Sequence, residues 1–169
     1  MDTLELIQTR RSVRKYTGER VGDTDIDRIL EAGRWAPSGL NNQPWRFAII
    51  RKAGTKKELA AATKYSAVIL GADALIAVFL DRLAIYDKTK DAQSAGACIQ
   101  NMLLQAHSLG LGACWLGQIL AKADMVKKAL GAPDSYELMA VITLGHPEPA
   151  KLSGRREELE KLVFLREEV

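Results

Sequence analysis

The sequence contains few of the residues from which metal centres and disulfide frameworks are built. Cys98 and Cys114 are its only cysteines, and His107 and His146 are its only histidines. No Cys-x-x-Cys or His-x-x-x-His pair is present, so nothing nucleates a zinc site, and two cysteines do not form a disulfide scaffold. We therefore expect no metal site, and we expect both cysteines to be reduced.

Long hydrophobic runs and a basic leader are also missing. Segment 1–5 is acidic, where a signal peptide would carry positive charge. The longest uninterrupted apolar run, Ala74 to Leu80, is far too short to span a membrane. These absences predict a cytoplasmic protein without membrane segments.

Three motifs that would indicate nucleotide binding or hydrolase activity are absent. The sequence has no Gly-x-Gly-x-x-Gly, no Gly-x-x-x-x-Gly-Lys-Ser/Thr and no Gly-x-Ser-x-Gly. A Cys114–His146 nucleophile–base pair can be drawn, but Cys114 falls in a predicted buried strand, where cysteine usually acts as a small hydrophobic residue. The sequence therefore offers few candidate side chains for acid–base or nucleophilic catalysis.

What the sequence does contain is the composition of an ordinary globular domain. Its 169 residues are 47% hydrophobic and 27% charged, which predicts a single domain over residues 1–169. Twenty-four Lys and Arg against twenty-one Asp and Glu give a net charge of +3. This excess is too small to argue for nucleic-acid binding without local clustering.

Hydrophobic periodicity predicts alternating helices and strands in one α+β unit. Strands are predicted at 45–51, 74–80, 111–116 and 138–144, with 74–80 buried on both faces. Helices are predicted after Asp2, from a cap at Thr24 to before Pro37, at 55–65, at 91–109, up to Gly131, and at 159–163.

Positive charge is concentrated in one short segment near the N-terminus. Arg10, Arg11, Arg14 and Lys15 surround the hydroxyl of Ser12, a combination suited to a phosphate monoester. The pair Arg155-Arg156 could converge on the same anion. A solvated basic turn or a kinase phosphosite are the alternatives, and the cluster alone does not decide among them.

Two further segments fit a planar ligand. Loop 37–45 carries amide and hydroxyl side chains between two prolines, which offers donors and acceptors to a heterocycle edge at little ordering cost. Segment 110–117 has glycines at both ends, which would let a flat ligand approach the backbone, although helix-stop and strand-end punctuation is the simpler interpretation. Together with the basic cluster, these segments predict a site for a phosphorylated aromatic heterocycle.

These segments resemble the FMN-dependent nitroreductase family. The resemblance rests on four motifs in the family's order and spans nearly the whole chain; the motifs lie at 10–14, 36–45, 110–117 and 144–147, the last followed by Arg155-Arg156. It implies an α+β fold with a central mixed, mainly antiparallel sheet flanked by helices. It also implies a homodimer with FMN at the subunit interface and a C-terminal segment exchanged or extended onto the partner.

The resemblance also implies roles for individual residues. The FMN phosphate would be held by Arg10, Arg11, Ser12, Arg14 and one of Arg155 and Arg156, with Arg156 the better match. Pro37, Ser38, Asn41 and Gln43 would lie along the isoalloxazine ring, partly from the second subunit. Leu116 and Gly117 would face the ring, with the Gly117 backbone near the reactive N5. In the short segment 81–90, Tyr86 is expected to line the mouth of the pocket.

The main hypothesis is therefore an oxidoreductase in which flavin carries the chemistry and no side chain acts as a nucleophile. Hydride would pass from NADH or NADPH through FMN to a nitroaromatic, quinone or related acceptor. The alternatives are a flavin-handling enzyme of the same fold, for flavin fragmentation or reductive dehalogenation, and a non-enzymatic binder of anions or nucleic acid.

Overall fold

The computed structural model of the chain describes residues 2–150 and 153–167. The helices are α1 (Thr3–Thr9), α2 (Asp23–Arg34), α3 (Ala53–Ala60), α4 (Ser66–Gly71), α5 (Lys88–Ser108), α6 (Ala123–Leu130) and α7 (Leu159–Leu162). The strands are β1 (Trp45–Ile50), β2 (Ala74–Asp81), β3 (Gly112–Leu116) and β4 (Tyr136–Gly145). Short 3-10 turns lie at Gly39–Asn41 and Gln118–Lys122.

The four strands form one sheet in the order β1-β2-β4-β3, and each neighbouring pair is antiparallel. The expected α+β fold, with a mainly antiparallel sheet flanked by helices, is confirmed, and all of the named strands in this sheet are antiparallel. The one parallel element recorded in the described chain is an isolated bridge between Ser12 and Ala113.

Two hydrophobic clusters pack against opposite faces of this sheet. Alternation along β2 sends Ile76 and Val78 into the cluster shared with α2 and α5. Leu75, Ala77 and Phe79 enter the cluster shared with α3, α4 and α6. The prediction that β2 is buried on both faces is confirmed, because its first seven residues are all buried.

Three helix predictions are wrong in detail. The N-cap of α2 is Gly22, whose extended backbone precedes the helix, so Thr24 lies inside the first turn. The helix predicted at 55–65 ends early, because α3 spans Ala53–Ala60, residues 61–65 form turns, and a separate helix, α4, begins at Ser66. Helix α5 begins at Lys88 because the Asp87 carboxylate caps it by accepting from the Lys90 N–H at 2.8 Å.

The segment that carries the basic cluster lies directly on the sheet edge. After α1 ends, Val13 N donates to Ala113 O at 3.0 Å, and Thr17 N donates to His146 O at 3.0 Å. A Cβ at Gly112 would overlap Val13, so this glycine makes room for the chain's own segment. Gly110, at φ +75°, ends α5. At Gly112, the expectation that a ligand approaches the backbone is therefore replaced by packing against Val13, and Gly110 fits the simpler interpretation as the end of a helix.

The C-terminal segment 153–167 is exposed along its whole described length, and α7 contains no buried residue. No helix among the described residues combines the length and apolar character needed to cross a membrane.

Candidate functional site

An open cleft of about 240 Å³ brings the two basic segments of the sequence together. It is bordered by Arg10, Arg11, Ser12, Arg14, Ser153, Gly154 and Arg156. Arg156, from the other end of the sequence, thus shares one small volume with Arg10, Arg11, Arg14 and the Ser12 hydroxyl.

The positive charge of this cleft is not balanced by an ion pair in the part of the chain that the structure describes. Within residues 2–150 and 153–167, no carboxylate forms an ion pair with Arg10, Arg11, Arg14 or Arg156. Desolvation, together with repulsion from Arg156 and Arg11, lowers the pKa of the Arg10 guanidinium. An anion bound here would relieve this repulsion.

The guanidinium of Arg11 also has an unused donor. Its Nη1 donates to Gln8 O and Arg10 O at the end of α1, but its buried Nε has no acceptor among the described atoms. A buried donor without a partner is costly, and a phosphate oxygen would satisfy it. The donor set therefore fits the phosphate of the expected FMN.

The structure separates the two C-terminal arginine candidates. Arg156 lines the cleft, whereas Arg155 is exposed outside it and contributes its carbonyl oxygen to Arg156 Nη1 at 2.9 Å. Of the two arginines, Arg156 is therefore the one placed to contact a molecule in the cleft.

The amide-rich loop adopts a backbone that only a few residue types accept readily. Leu40, Asn41 and Gln43 have positive φ, and they are all of the non-glycine residues with positive φ in the described chain. The loop is held by a hydrogen bond from Gln43 N to Ser38 Oγ at 3.1 Å and by one from Gln43 Nε2 to Asn41 O at 3.2 Å. A positive φ strains the backbone of a residue with a side chain. A strained backbone of this kind persists only where surrounding contacts enforce it, and it is concentrated at functional sites.

Pro37 and Ser38 open onto a second cavity of about 330 Å³, whose other borders are Gly39, Tyr86, Lys90, Gln93, Ser94 and Ala97. The Lys90 ammonium lies 5.4 Å from the centre of the Tyr86 ring. Tyr86 is half-exposed at this cavity, so the structure agrees with the expectation that it lines a pocket mouth.

The two asparagines of the loop point in different directions. Asn41 is exposed, whereas Asn42 Nδ2 donates inward to Asp91 Oδ1 at 2.7 Å and to Ala84 O at 3.0 Å. Desolvation of the buried Asp91 would raise its pKa, but the hydrogen bonds from Asn42 and from two backbone N–H groups outweigh it and lower the pKa. Sequence reasoning missed Asp91, since an aspartate near a helix start is usually only a dipole partner.

Leu116 and Gly117 lie at the end of β3. Leu116 is buried, while Gly117 is exposed with no atom within 4 Å of the position of an added Cβ. Ser12 pairs with Ala113 on the same strand, so Gly117 lies about 13 Å further along. The phosphate cleft and the exposed Gly117 backbone therefore share one sheet edge.

The amide loop and the phosphate cleft do not meet within one chain. The second cavity is lined by the N-terminal half of α5, up to Ala97. His107 lies ten residues later on the same helix, and its Nε2 is 2.9 Å from the Oγ1 of Thr9, directly before the basic segment. Ten helical residues correspond to about 15 Å. The two groups of predicted ligand-binding residues thus occupy opposite ends of α5.

The side-chain nucleophile considered from the sequence has no support in this geometry. Cys114 is buried, and burial raises the pKa of its thiol despite the nearby Arg14 and Arg10. Its Sγ donates to the Trp115 carbonyl oxygen at 4.0 Å, and no hydrogen bond joins Cys114 to His146 within the described residues. No group of His, Cys, Asp or Glu among the described residues could hold a metal ion.

Comparison with known proteins identifies the fold and the family. The model of the nitroreductase family matches residues 7–146. An Archaeoglobus fulgidus protein provisionally named NADH dehydrogenase/NAD(P)H nitroreductase is 35% identical over 89% of this chain and 88% of its own. The Vibrio harveyi NADPH-flavin oxidoreductase is 27% identical over 87% of this chain and 66% of its own.

A solved structure extends this likeness to three dimensions. The crystal structure of a Desulfovibrio desulfuricans protein, classed with the nitroreductases and in complex with FMN, has a TM-score of 0.94 and 47% identity over 98% of both chains. Because the family model and these relatives cover most of the sequence, the chain belongs to the nitroreductase family.

Proposed function

We propose that this chain is an FMN-dependent oxidoreductase that uses NADH or NADPH to reduce nitroaromatic, quinone or related acceptors. The observation that carries the proposal is the arginine cleft, in which four cations and one buried donor converge with neither a counterion nor an acceptor among the described residues. Membership in the nitroreductase family and the FMN complex of a 47% identical protein support the same cofactor.

The residues of the chain supply binding and orientation, while FMN, when bound, would supply the redox chemistry. Arg10, Arg11, Arg14 and Arg156 would hold the phosphate by charge-assisted hydrogen bonds, together with the Ser12 hydroxyl. The exposed backbone of Gly117, about 13 Å along the same edge, would meet the ring near N5. No side-chain nucleophile or metal is required.

The functional unit we propose is a homodimer with FMN at the interface. The amide loop of one chain is separated from its own phosphate cleft along α5, so a two-fold arrangement would place Pro37, Ser38, Asn41 and Gln43 beside the partner's flavin. The exposed segment 153–167 carries apolar side chains that such an assembly would cover; Phe164 is 98% exposed.

The proposal is tested by anaerobic reduction of the purified protein. The protein should be yellow, release FMN on denaturation, and lose its visible absorbance when NADH or NADPH is added. Reoxidation by a quinone and by a nitroaromatic compound would then identify the acceptor class. A colourless protein that also fails to bind added FMN would refute the proposal.

Three further measurements separate the other hypotheses. Product analysis after aerobic turnover distinguishes acceptor reduction from flavin fragmentation, and halide release reports reductive dehalogenation. A nucleic-acid binder would instead show steeply salt-dependent binding to nucleic acid without flavin. The cytoplasmic location stays a prediction from the sequence.

A further inference from the structure

Asp91 joins two loops to the first turn of α5. Its side chain is fully buried. Oδ1 accepts from Asn42 Nδ2 at 2.7 Å, while Oδ2 accepts from the backbone N–H groups of Tyr86 at 2.9 Å and Asp87 at 3.0 Å. Three donors on one buried carboxylate compensate its desolvation, which explains why a charge is tolerated here.

The two loops that meet at Asp91 form one wall of the second cavity. Asn42 belongs to the strained loop 37–43, and its Nδ2 also donates to Ala84 O at 3.0 Å in the neighbouring loop. Where the loops touch, a Cβ on Gly39 would overlap the ring and hydroxyl of Tyr86. The wall therefore depends on hydrogen bonds behind it and on close packing in front of it.

We propose that Asp91 is a positioning residue, which fixes the loop 37–43 and Tyr86 to each other and thereby shapes the cavity that receives the planar electron acceptor. This inference rests on the proposed function. Asp91 lies behind the cavity wall and is absent from the cavity's own border, so it would act through Asn42 and Tyr86.

The first test is amide hydrogen exchange of the full chain, with and without added FMN. Asp91→Asn keeps the size of the side chain but removes its charge and one acceptor. We expect the amides of 39–43 and 84–87 to exchange about tenfold faster, the factor that corresponds to roughly 1.4 kcal/mol. This measurement needs no catalytic activity.

The chain offers a matched control at the opposite end of β2. Asp73 also joins separate segments, because its Oδ2 accepts from Val21 N at 3.1 Å and pairs with Arg51. The length of β2, about 27 Å, separates it from the cavity. Asp73→Asn should therefore lower thermal stability while leaving exchange at 39–43 and 84–87 at the wild-type rate.

The second test measures kcat and KM separately for 1,4-benzoquinone as the acceptor, at saturating FMN. A loosened wall weakens acceptor binding, so Asp91→Asn should raise the KM about tenfold and change kcat less than about twofold. Asp73→Asn should leave both within about twofold. If Asp91→Asn loses thermal stability but keeps the wild-type exchange rates and KM, Asp91 is merely structural and the inference is wrong.

A second variant keeps the test decisive if Asp91→Asn does not fold. Asn42→Ala disconnects the loop 37–43 but leaves the bonds from Tyr86 and Asp87 to Asp91. Faster exchange at 39–43 with protected amides at Tyr86 and Asp87 would support the inference, whereas unchanged exchange at 39–43 would overturn it. A wild-type protein without FMN would refute the proposed function, while the exchange data would still decide the role of Asp91.

Discussion

Arg156 reaches the anion cleft from the exposed C-terminal segment, so a substitution there can separate cofactor binding from folding. Its guanidinium contributes to the repulsion that lowers the pKa of Arg10, and no carboxylate among the described residues pairs with it. Arg156→Gln removes this charge and retains a polar side chain. Arg155→Gln is the matched control, because Arg155 is the neighbouring arginine and lies outside the cleft.

The expected loss follows from the charge-assisted bonds that one arginine makes to a phosphate. A hydrogen bond to a charged group contributes about 1.5–3 kcal/mol, which corresponds to roughly a 10- to 150-fold increase in the Kd of FMN. The lower part of this range applies here, because the cleft is open and water screens the charges. We therefore expect the Kd to rise about 10- to 30-fold.

Fluorescence titration of FMN into flavin-free protein measures this affinity, and thermal unfolding without FMN measures stability. Arg156→Gln should weaken binding while the flavin-free protein keeps or slightly gains stability, since repulsion with Arg10 is reduced. Arg155→Gln should leave both quantities unchanged. Equal losses of affinity in the two variants, or unchanged affinity in Arg156→Gln, would show that Arg156 does not hold the phosphate.

Three further predictions concern parts of the fold outside the cleft. Burial raises the pKa of Cys98 to about 12, so a thiol reagent at about pH 8 should label it only after denaturation. Hydrogen bonds from Arg34 and from a tryptophan N–H lower the pKa of Glu31 to about 2. Because this folded-state pKa lies below the unfolded value, the stabilisation is present above about pH 4.5 and is lost toward pH 2, so wild type and Glu31→Gln should converge in free energy of unfolding on acidification. Gly112→Ala should lower the free energy of unfolding by about 1–3 kcal/mol, because the added methyl group overlaps Val13. Gly54→Ala lies in α3 with open space around it and should raise the free energy of unfolding by about 0.5–1 kcal/mol. Denaturant titrations measure both changes.

The strands could be predicted to within a few residues because the apolar residues that bury them are adjacent in the sequence. The continuous apolar run of β2 and the apolar centre of β4 identify them as the middle of a sheet. The sequence also indicated the residues that border the arginine cleft, because arginine and serine clustered within a few positions have a distinct chemistry.

Two of the errors arise where a distant residue decides the local structure. The break between α3 and α4 is fixed by Gln118, whose Oε1 accepts from Thr63 Oγ1 at 2.7 Å and from Lys64 N at 3.2 Å. Nothing within 55–65 indicates this interruption. Likewise, Gly112 appeared able to admit a ligand, but the space beside it is taken by Val13 from another part of the chain.

The strained loop explains why the fold retains a buried carboxylate at this point. Leu40, Asn41 and Gln43 each adopt a backbone that costs on the order of 1 kcal/mol or more, so an isolated loop would relax to other conformations. Contacts within the loop close it locally, but only the Asn42–Asp91 bond ties its side chains to α5 in the described chain. An apolar residue at position 91 would remove the acceptor of one N–H of Asn42 Nδ2 and of two backbone N–H groups in a buried environment. The carboxylate thus holds the loop in the strained conformation before a ligand arrives, and binding a planar ring then requires little further ordering.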